Sequence, residues 1–274
     1  MHQAERGPRE FEYNEGDFAR AAALFKRYTG MATLERKRDL VYSRLIRRVR
    51  LTGSGTFRVY LKKVSQDERE AEQFVNALTT NLTYFFREKH HFPILADHAA
   101  CATGHRYRVW SAASSTGEEP YSIAITLARL RIGAEIVATD LDTNVLKTAR
   151  EGMYSEAHGA SLTPDVLQAY FLRGKGLNEG RIRVTEALRK SIAFEQLNLL
   201  RPDWCVRGKF DAIFLRNVMI YFDRPSQLAV LARLAEHLHD EGLLFTGHAE
   251  SLFYASQLFR PVGPTVYKKV RRSE

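Results

Sequence analysis

The sequence predicts a two-part α/β protein, a helical segment followed by a doubly wound, mostly parallel sheet with helices on both faces. Three observations lead there. Between Asp17 and about Leu78, apolar residues recur at helical spacing. From Arg106 onward, short β-prone runs alternate with helical stretches. Polar residues stand just past the ends of successive runs, and in open α/β sheets that carboxyl edge binds ligands.

Composition narrows the function classes. A chain of 274 residues with 45% hydrophobic content can bury one large core or two smaller ones. No apolar run approaches the ~20 residues needed to span a bilayer. Met1 to Gly16 is polar and lacks a secretory h-region. Residues 1–10 read as a disordered tail. Cys101 and Cys205 have no paired spacing and read as two buried, reduced thiols. The net charge of +9 points to an acidic partner, of which nucleic acid is one class. His90-His91 and the pair His237, His239 share no helix face, and neither H-E-x-x-H nor C-x-x-C occurs, so no metal is expected.

In the helical part, Asp17 is positioned to cap a first helix carrying Phe18, Ala21, Leu24 and Phe25. A second helix spans Leu34 to Leu51. Wound at about 100° per residue, it gathers Leu34, Val41, Leu45 and Val49 on one face. Arg36, Arg44, Arg47, Arg48 and Arg50 fall on the other with almost no interleaved acid. That strip is either a solvated face or a binding surface for an acidic partner. Thr56 and Asp67 begin two further helices.

In the α/β part, Val109 to Ala112 reads as a strand, Ala113 to Gly117 as a small-residue loop, and Pro120 as part of a first helical turn. A strand feeding a helix through such a loop suits a nucleotide-like ligand. Glu118 and Glu119 disfavour phosphate there. They suit a cationic or hydroxyl-bearing ligand, or merely complement the helix dipole. Glu135 to Thr139 is a strand ending at Asp140, about twenty residues on, where a carboxylate can take ribose hydroxyls. Ile192 to Leu197 ends at Asn198-Leu199, and Phe210 to Leu215 ends at Arg216-Asn217. A helix over 226–239, a strand over 243–246 and a terminal hairpin follow. Between Ser161 and Arg189, Tyr170–Arg173 and Arg181–Val184 flank a glycine-rich turn and predict an inserted hairpin. It is either a surface elaboration or an edge that docks a peptide strand.

Taken in order, the stretches Asn81-Leu-Thr-Tyr-Phe-Phe-Arg87, Trp110-Ser-Ala-Ala-Ser-Ser-Thr-Gly-Glu-Glu-Pro-Tyr-Ser122, Asp140-Leu-Asp142, Phe171-Leu-Arg-Gly-Lys-Gly176, Asn198-Leu-Leu200, Phe210-Asp-Ala-Ile-Phe-Leu-Arg-Asn-Val-Met-Ile-Tyr-Phe222 and Gly242-Leu-Leu-Phe-Thr-Gly-His248 resemble the CheR-type protein-glutamate O-methyltransferases of chemotaxis receptors. The resemblance covers about residues 11–270. It implies a class I S-adenosylmethionine-dependent methyltransferase, Rossmann-like, with a small N-terminal all-α domain and an inserted antiparallel β-subdomain.

The boundaries it implies are a receptor-recognition domain at 11–78, a linker contributing to the cofactor site at 79–90, and a methyltransferase domain at 91–274 with its β-subdomain at about 161–190. It further implies S-adenosylmethionine as cofactor and S-adenosylhomocysteine as product. Glu118 would face the methionine ammonium, Asp140 the ribose, and Asn198 with Leu199 the adenine. Asn81, Thr83 and Arg87 would close over the methionine end. Arg216 and Asn217 would complete the pocket. Arg87 and Tyr221 would serve the transfer itself. The partner implied is the helical bundle of a chemoreceptor, met by Arg36, Arg44, Arg47 and Arg48. The receptor's C-terminal peptide would meet Arg173, Gly174, Gly176, Gly180 and Arg183. A cytoplasmic monomer recruited to membrane-bound receptors, with no nucleic acid and no membrane insertion, completes that expectation. The competing readings are an RNA methyltransferase, motivated by charge, and a non-catalytic receptor adaptor. The absence of G-x-G-x-x-G disfavours a nicotinamide dehydrogenase.

Overall fold

The computed structural model describes residues 10–32, 34, 37–102 and 104–270. Arg36 and nearly all of the expected tail lie outside them. The chain divides into two compact units, one ending at Thr80 and one beginning at Asn81.

The first unit packs α1 (Glu15–Thr29), α2 (Arg38–Leu51), α3 (Phe57–Val64) and α4 (Glu68–Leu78). The cap of α1 is Asn14, not Asp17. Asp17 is its capping-box partner, returning a bond to the Asn14 amide. Thr56 and Asp67 cap α3 and α4 as expected. Helix α2 starts at Arg38, with Leu34 buried in a turn before it. Val41, Leu45 and Val49 face inward together with Phe57, Tyr60 and Phe74.

The expected cationic strip on α2 needs correction at two positions. Arg44 donates to the carbonyls of Leu78 and Thr79 at 2.6 and 2.7 Å, satisfying the end of α4. Arg48 makes a two-pronged ion pair with the buried Glu70 at 3.0 and 2.6 Å. Both guanidinia hold the unit together rather than facing solvent. Arg47 is exposed.

The second unit opens with α5 (His91–Cys101), a helix the sequence reading lacks. Then come β1 (Tyr107–Ser111), α6 (Glu118–Arg129), β2 (Ala134–Asp140), α7 (Thr143–Glu151), β3 (Met153–Ser155), α8 (Pro164–Tyr170), β4 (Phe171–Arg173), β5 (Arg181–Val184), α9 (Glu186–Lys190), β6 (Ile192–Gln196), β7 (Phe210–Leu215), α10 (Arg224–His237), β8 (Leu238–Thr246), β9 (Phe259–Gly263) and β10 (Val266–Lys269). The main sheet has the order β6-β2-β1-β7-β8-β10-β9. Its first five strands are parallel, and β10 runs antiparallel between β8 and β9. This is the doubly wound arrangement expected from the sequence, with a reversed terminal hairpin. The chain leaves β1 toward β2 on one side and returns to β7 on the other. The switch point therefore lies at the carboxyl end of β1.

The inserted subdomain is larger than a hairpin. Strand β5 is central, flanked by β4 and by β3, so the three-stranded antiparallel sheet takes in residues before 161. Phe85 fastens the Asn81–Arg87 segment to it, edge-on to Tyr154 and Phe171 at 5.1 and 5.4 Å. Cys101 and Cys205 are both exposed free thiols, correcting the expectation of burial. Cys101 is the last residue of α5 and Cys205 sits in the loop before β7, so neither faces the core.

Candidate active site

The loop after β1 is shaped by close packing. Gly117 has φ +99°, and a Cβ there would lie 2.9 Å from Ala149 Cβ on α7. Glycine is thus needed to bring the start of α6 against α7. Pro120 sits in the first turn of α6, as its missing N–H allows. Glu118, the first residue of that helix, is 1% exposed and accepts from Thr116 Oγ1 at 2.6 Å. Burial raises its carboxyl above the usual range. Among the described residues no lysine or arginine is among the groups acting on it.

Asp140, at the end of β2, joins two loops. Its Oδ2 accepts the Ser115 amide at 2.8 Å and its Oδ1 the Asp142 amide at 3.0 Å. Burial, with the neighbouring Asp142 charge adding, pushes it up to about 6. Asn81 reaches the same cluster. Its side-chain amide donates to Asp142 Oδ2 at 2.8 Å, and its carbonyl accepts from Ser115 Oγ at 3.0 Å. The amide of Leu197 donates to the Asp140 carbonyl at 2.9 Å, which sets Asn198 and the buried Leu199 beside β2. Asn198 Oδ1 accepts the Leu200 amide at 2.9 Å, fixing that turn.

The Arg216 side chain is buried and spans two carboxylates, Glu119 at 3.0 Å and Glu88 at 3.3 Å. It also donates to the Arg87 carbonyl. Glu119 in turn accepts from Ser111 Oγ at 2.7 Å. These partners fix the guanidinium behind the start of α6. Burial raises Glu119, and the guanidinium opposes that.

Asn217 has φ +59°, a conformation asparagine tolerates. Glu250 holds it there: the buried carboxylate accepts the amides of Asn217, Met219 and Gly247 at 2.7, 2.8 and 2.8 Å. Tyr221 closes the short 3₁₀ turn that follows and is half-buried. Arg87 is half-buried, donates to the Leu82 carbonyl at 2.9 Å and lies over the Tyr84 ring. Thr83 is half-buried. The sequence reading missed Glu250, Glu88 and Asp142 as organisers. Glu250 had a signal, a lone acid three residues past Gly247 at the carboxyl end of a strand.

In the subdomain, Gly174 has no room for a Cβ, which would strike the Asn178 carbonyl. Gly176 and Gly180 have φ of +58° and +76°. Arg173 pairs with Glu156 at 2.8 Å, and Arg183 donates to the Glu151 carbonyl at 3.2 Å.

The donor set suits S-adenosylmethionine. A buried carboxylate with no guanidinium or ammonium partner among the described residues matches the cofactor's α-ammonium. A carboxylate at the end of the neighbouring strand, its orientation fixed by backbone amides, keeps lone pairs for a pair of hydroxyls.

Comparison with known proteins agrees with this fit. The family model "CheR methyltransferase, SAM binding domain" matches residues 81–268, and "CheR methyltransferase, all-alpha domain" matches 16–79. Chemotaxis protein methyltransferase 2 of Pseudomonas aeruginosa is 50% identical over 268 residues, covering 95% of both chains. Chemotaxis protein methyltransferase of Escherichia coli is 47% identical over 260 residues, covering 93% of this chain and 91% of that one. The Salmonella typhimurium protein of the same name is 48% identical over 260 residues, covering 93% and 90%. The two units thus match the two domains of one family, and the chain belongs to the CheR family of S-adenosylmethionine-dependent methyltransferases.

Proposed function

We propose that the chain transfers a methyl group from S-adenosylmethionine to glutamate side chains of chemotaxis receptors, as its family membership implies. The observation that carries the assignment of the site is the buried Glu118 carboxylate at the switch point, which accepts from the Thr116 hydroxyl and has no lysine or arginine partner among the described residues. Glu118 binds the ammonium of the cofactor. Asp140 accepts the ribose hydroxyls. Asn198 and Leu199 flank the adenine, while Asn81 and Thr83 cover the methionine end. Asn217, held by Glu250, forms the wall opposite.

The cofactor supplies an electrophilic methyl on a sulfonium. The acceptor carboxylate is ionised at neutral pH, since an ordinary glutamate has a pKa of about 4.3. The leaving thioether is neutral, so neither a general base nor a general acid is needed. The protein's work is positioning, worth up to roughly 7–11 kcal/mol in well-oriented systems. Arg87 orients a carboxylate, and Tyr221 stands by the reacting methyl. Charge is lost as the two ions combine, which favours a site shielded from water.

The receptor's helical bundle is the acceptor partner, with Arg47 contributing to its recognition. The edge of β4 takes the receptor's C-terminal peptide as an added strand, its acidic groups near Arg173 and Arg183. The enzyme acts as a monomer recruited from the cytoplasm. Among the described residues no helix is long and apolar enough to cross a membrane.

The test is incubation with methyl-labelled S-adenosylmethionine and receptor-containing membranes. Alkali-labile label released as methanol identifies a carboxyl methyl ester. Label appearing only in RNA would overturn the assignment.

A further inference from the structure

We propose that His105, Asp211 and His239 form a binding site for a divalent transition-metal ion of borderline softness, with zinc the type case. The site lies at the amino-terminal edge of the sheet, at the opposite strand ends from Glu118 and Asp140.

The three residues are far apart in sequence but stand at the starts of three neighbouring strands. His105 precedes β1, Asp211 is the second residue of β7 and His239 the second of β8. One donor atom from each lies within 4.8 Å of the others. His105 Nε2 is 2.8 Å from Asp211 Oδ1, and the two imidazole centroids are 5.8 Å apart. Ligands at about 2.0–2.2 Å from a tetrahedral zinc are spaced by about 3.3–3.6 Å. Small side-chain rotations reach that spacing.

Two features give the triad the character of a built site. Asp211 Oδ2 accepts the Arg108 amide at 2.8 Å, so the buried carboxylate is anchored with its other oxygen toward the imidazoles. His239 is delivered by an irregularity in the sheet. Phe210 pairs with Leu238, but Ala212 pairs with Leu243, so residues 239–242 form an excursion. Gly242 permits it. A Cβ there would lie 2.9 Å from Leu238 Cδ1 and 3.0 Å from the Phe210 carbonyl.

Two imidazoles and a carboxylate select zinc, copper(II) or nickel over calcium or magnesium, which require more oxygen ligands. His105 is exposed and His239 half-buried, so the ion enters from solvent and completes its shell with water. The expectation of no metal rested on short-range spacing, which cannot register ligands contributed by three separate strands. Bound there, an ion clasps the starts of β1, β7 and β8 and stabilises the folded chain by mass action. It does not touch the methyl-transfer site.

Isothermal titration of tag-free, full-length protein with zinc chloride in a non-coordinating buffer tests this, with thermal melts alongside. The expected result is one ion per chain and a melting temperature that rises with zinc concentration. His105→Ala and His239→Ala each weaken binding by at least about tenfold. Both leave circular dichroism and zinc-free methyl transfer unchanged. The double variant Cys101→Ser, Cys205→Ser binds as the parent does. No heat and no thermal shift at about 100 μM zinc, a level at which a 1 μM site is nearly saturated, would overturn the proposal. Undiminished binding in both histidine variants would also overturn it.

Discussion

Arg216 and Glu119 form a buried ion pair, with the guanidinium donating to the carboxylate at 3.0 Å behind the loop that carries Glu118. Removing Arg216 strands Glu119 and Glu88 in the interior, whereas removing Glu119 leaves the guanidinium with Glu88 at 3.3 Å. Arg216→Met should therefore cost about 3–5 kcal/mol of stability, read as a lower urea midpoint with an unchanged slope. The double variant Glu119→Gln, Arg216→Met removes both charges together and should lose less than the two single variants summed. Additive losses would mean that the two groups do not act as a pair.

Glu118 sits one residue away and behaves differently, because its carboxylate accepts from the Thr116 hydroxyl and forms no ion pair among the described residues. Glu118→Gln should leave the urea midpoint near that of the parent or raise it, since a buried charge is removed. S-adenosylmethionine affinity should fall by about 10–100-fold, the worth of a charge-assisted hydrogen bond. Calorimetric titration checks this, and unaltered affinity would remove Glu118 from the proposed ammonium contact.

Asp140 gives a pH signature of two opposite signs. Its folded-state value of about 6 lies above the ordinary 3.8. The folded chain then holds more protons than the unfolded chain between those values. The Asp140 contribution to stability is therefore fully present below about 3.8 and is lost as pH rises to about 6. Cofactor hydroxyls donate to the ionised form, so affinity should rise over the same window. Titrations from pH 5 to 8 should show S-adenosylmethionine binding strengthening through about 6 in the parent. In Asp140→Asn binding should be weaker and its remaining pH dependence smaller, with Glu118 left to titrate.

These residues show what local sequence reveals and what it hides. Periodicity locates most strands of the main sheet, because alternation and turn chemistry act over a few residues. The carboxyl-edge positions of Glu118, Asp140 and Asn198 follow from that alternation. The partners of Arg216 were hidden because Glu119 and Glu88 arrive from residues far away in the chain. Glu250 was missed for the same reason, since it acts through the amides of Asn217 and Met219. Strand β3 has three residues and becomes a strand only through pairing with β5. Helix α5 has a nearly continuous apolar run over 92–96, which hides its periodicity.

Gly174 separates tethering from catalysis. A Cβ at this position strikes the Asn178 carbonyl, so Gly174→Ala should open the β4–β5 turn. Binding of a receptor C-terminal peptide should be lost in calorimetric titration. S-adenosylmethionine affinity should stay within about twofold of the parent, as expected for a site with no shared partners. Retained peptide binding in a variant whose turn is shown to be altered would place the peptide elsewhere.

Arg47 and Arg48 are adjacent on α2 and should respond to charge reversal in different ways. Arg48→Glu sets a carboxylate against the buried Glu70, from which Arg48 is 2.6 Å away. The expected outcome is a destabilised helical unit, with a lower urea midpoint. Arg44→Glu likewise removes the donors that satisfy the Leu78 and Thr79 carbonyls. Neither reversal can then report on receptor contact, because lost methylation would follow from lost structure. Arg47 is exposed, so Arg47→Glu should shift stability by no more than about 0.5 kcal/mol. If α2 meets an acidic receptor helix, that variant should raise the KM for receptor methylation and leave S-adenosylmethionine affinity unchanged. The effect should shrink as salt rises, because exposed charges are screened beyond about 8–10 Å at physiological ionic strength. An unchanged KM at low salt would remove α2 from the receptor interface.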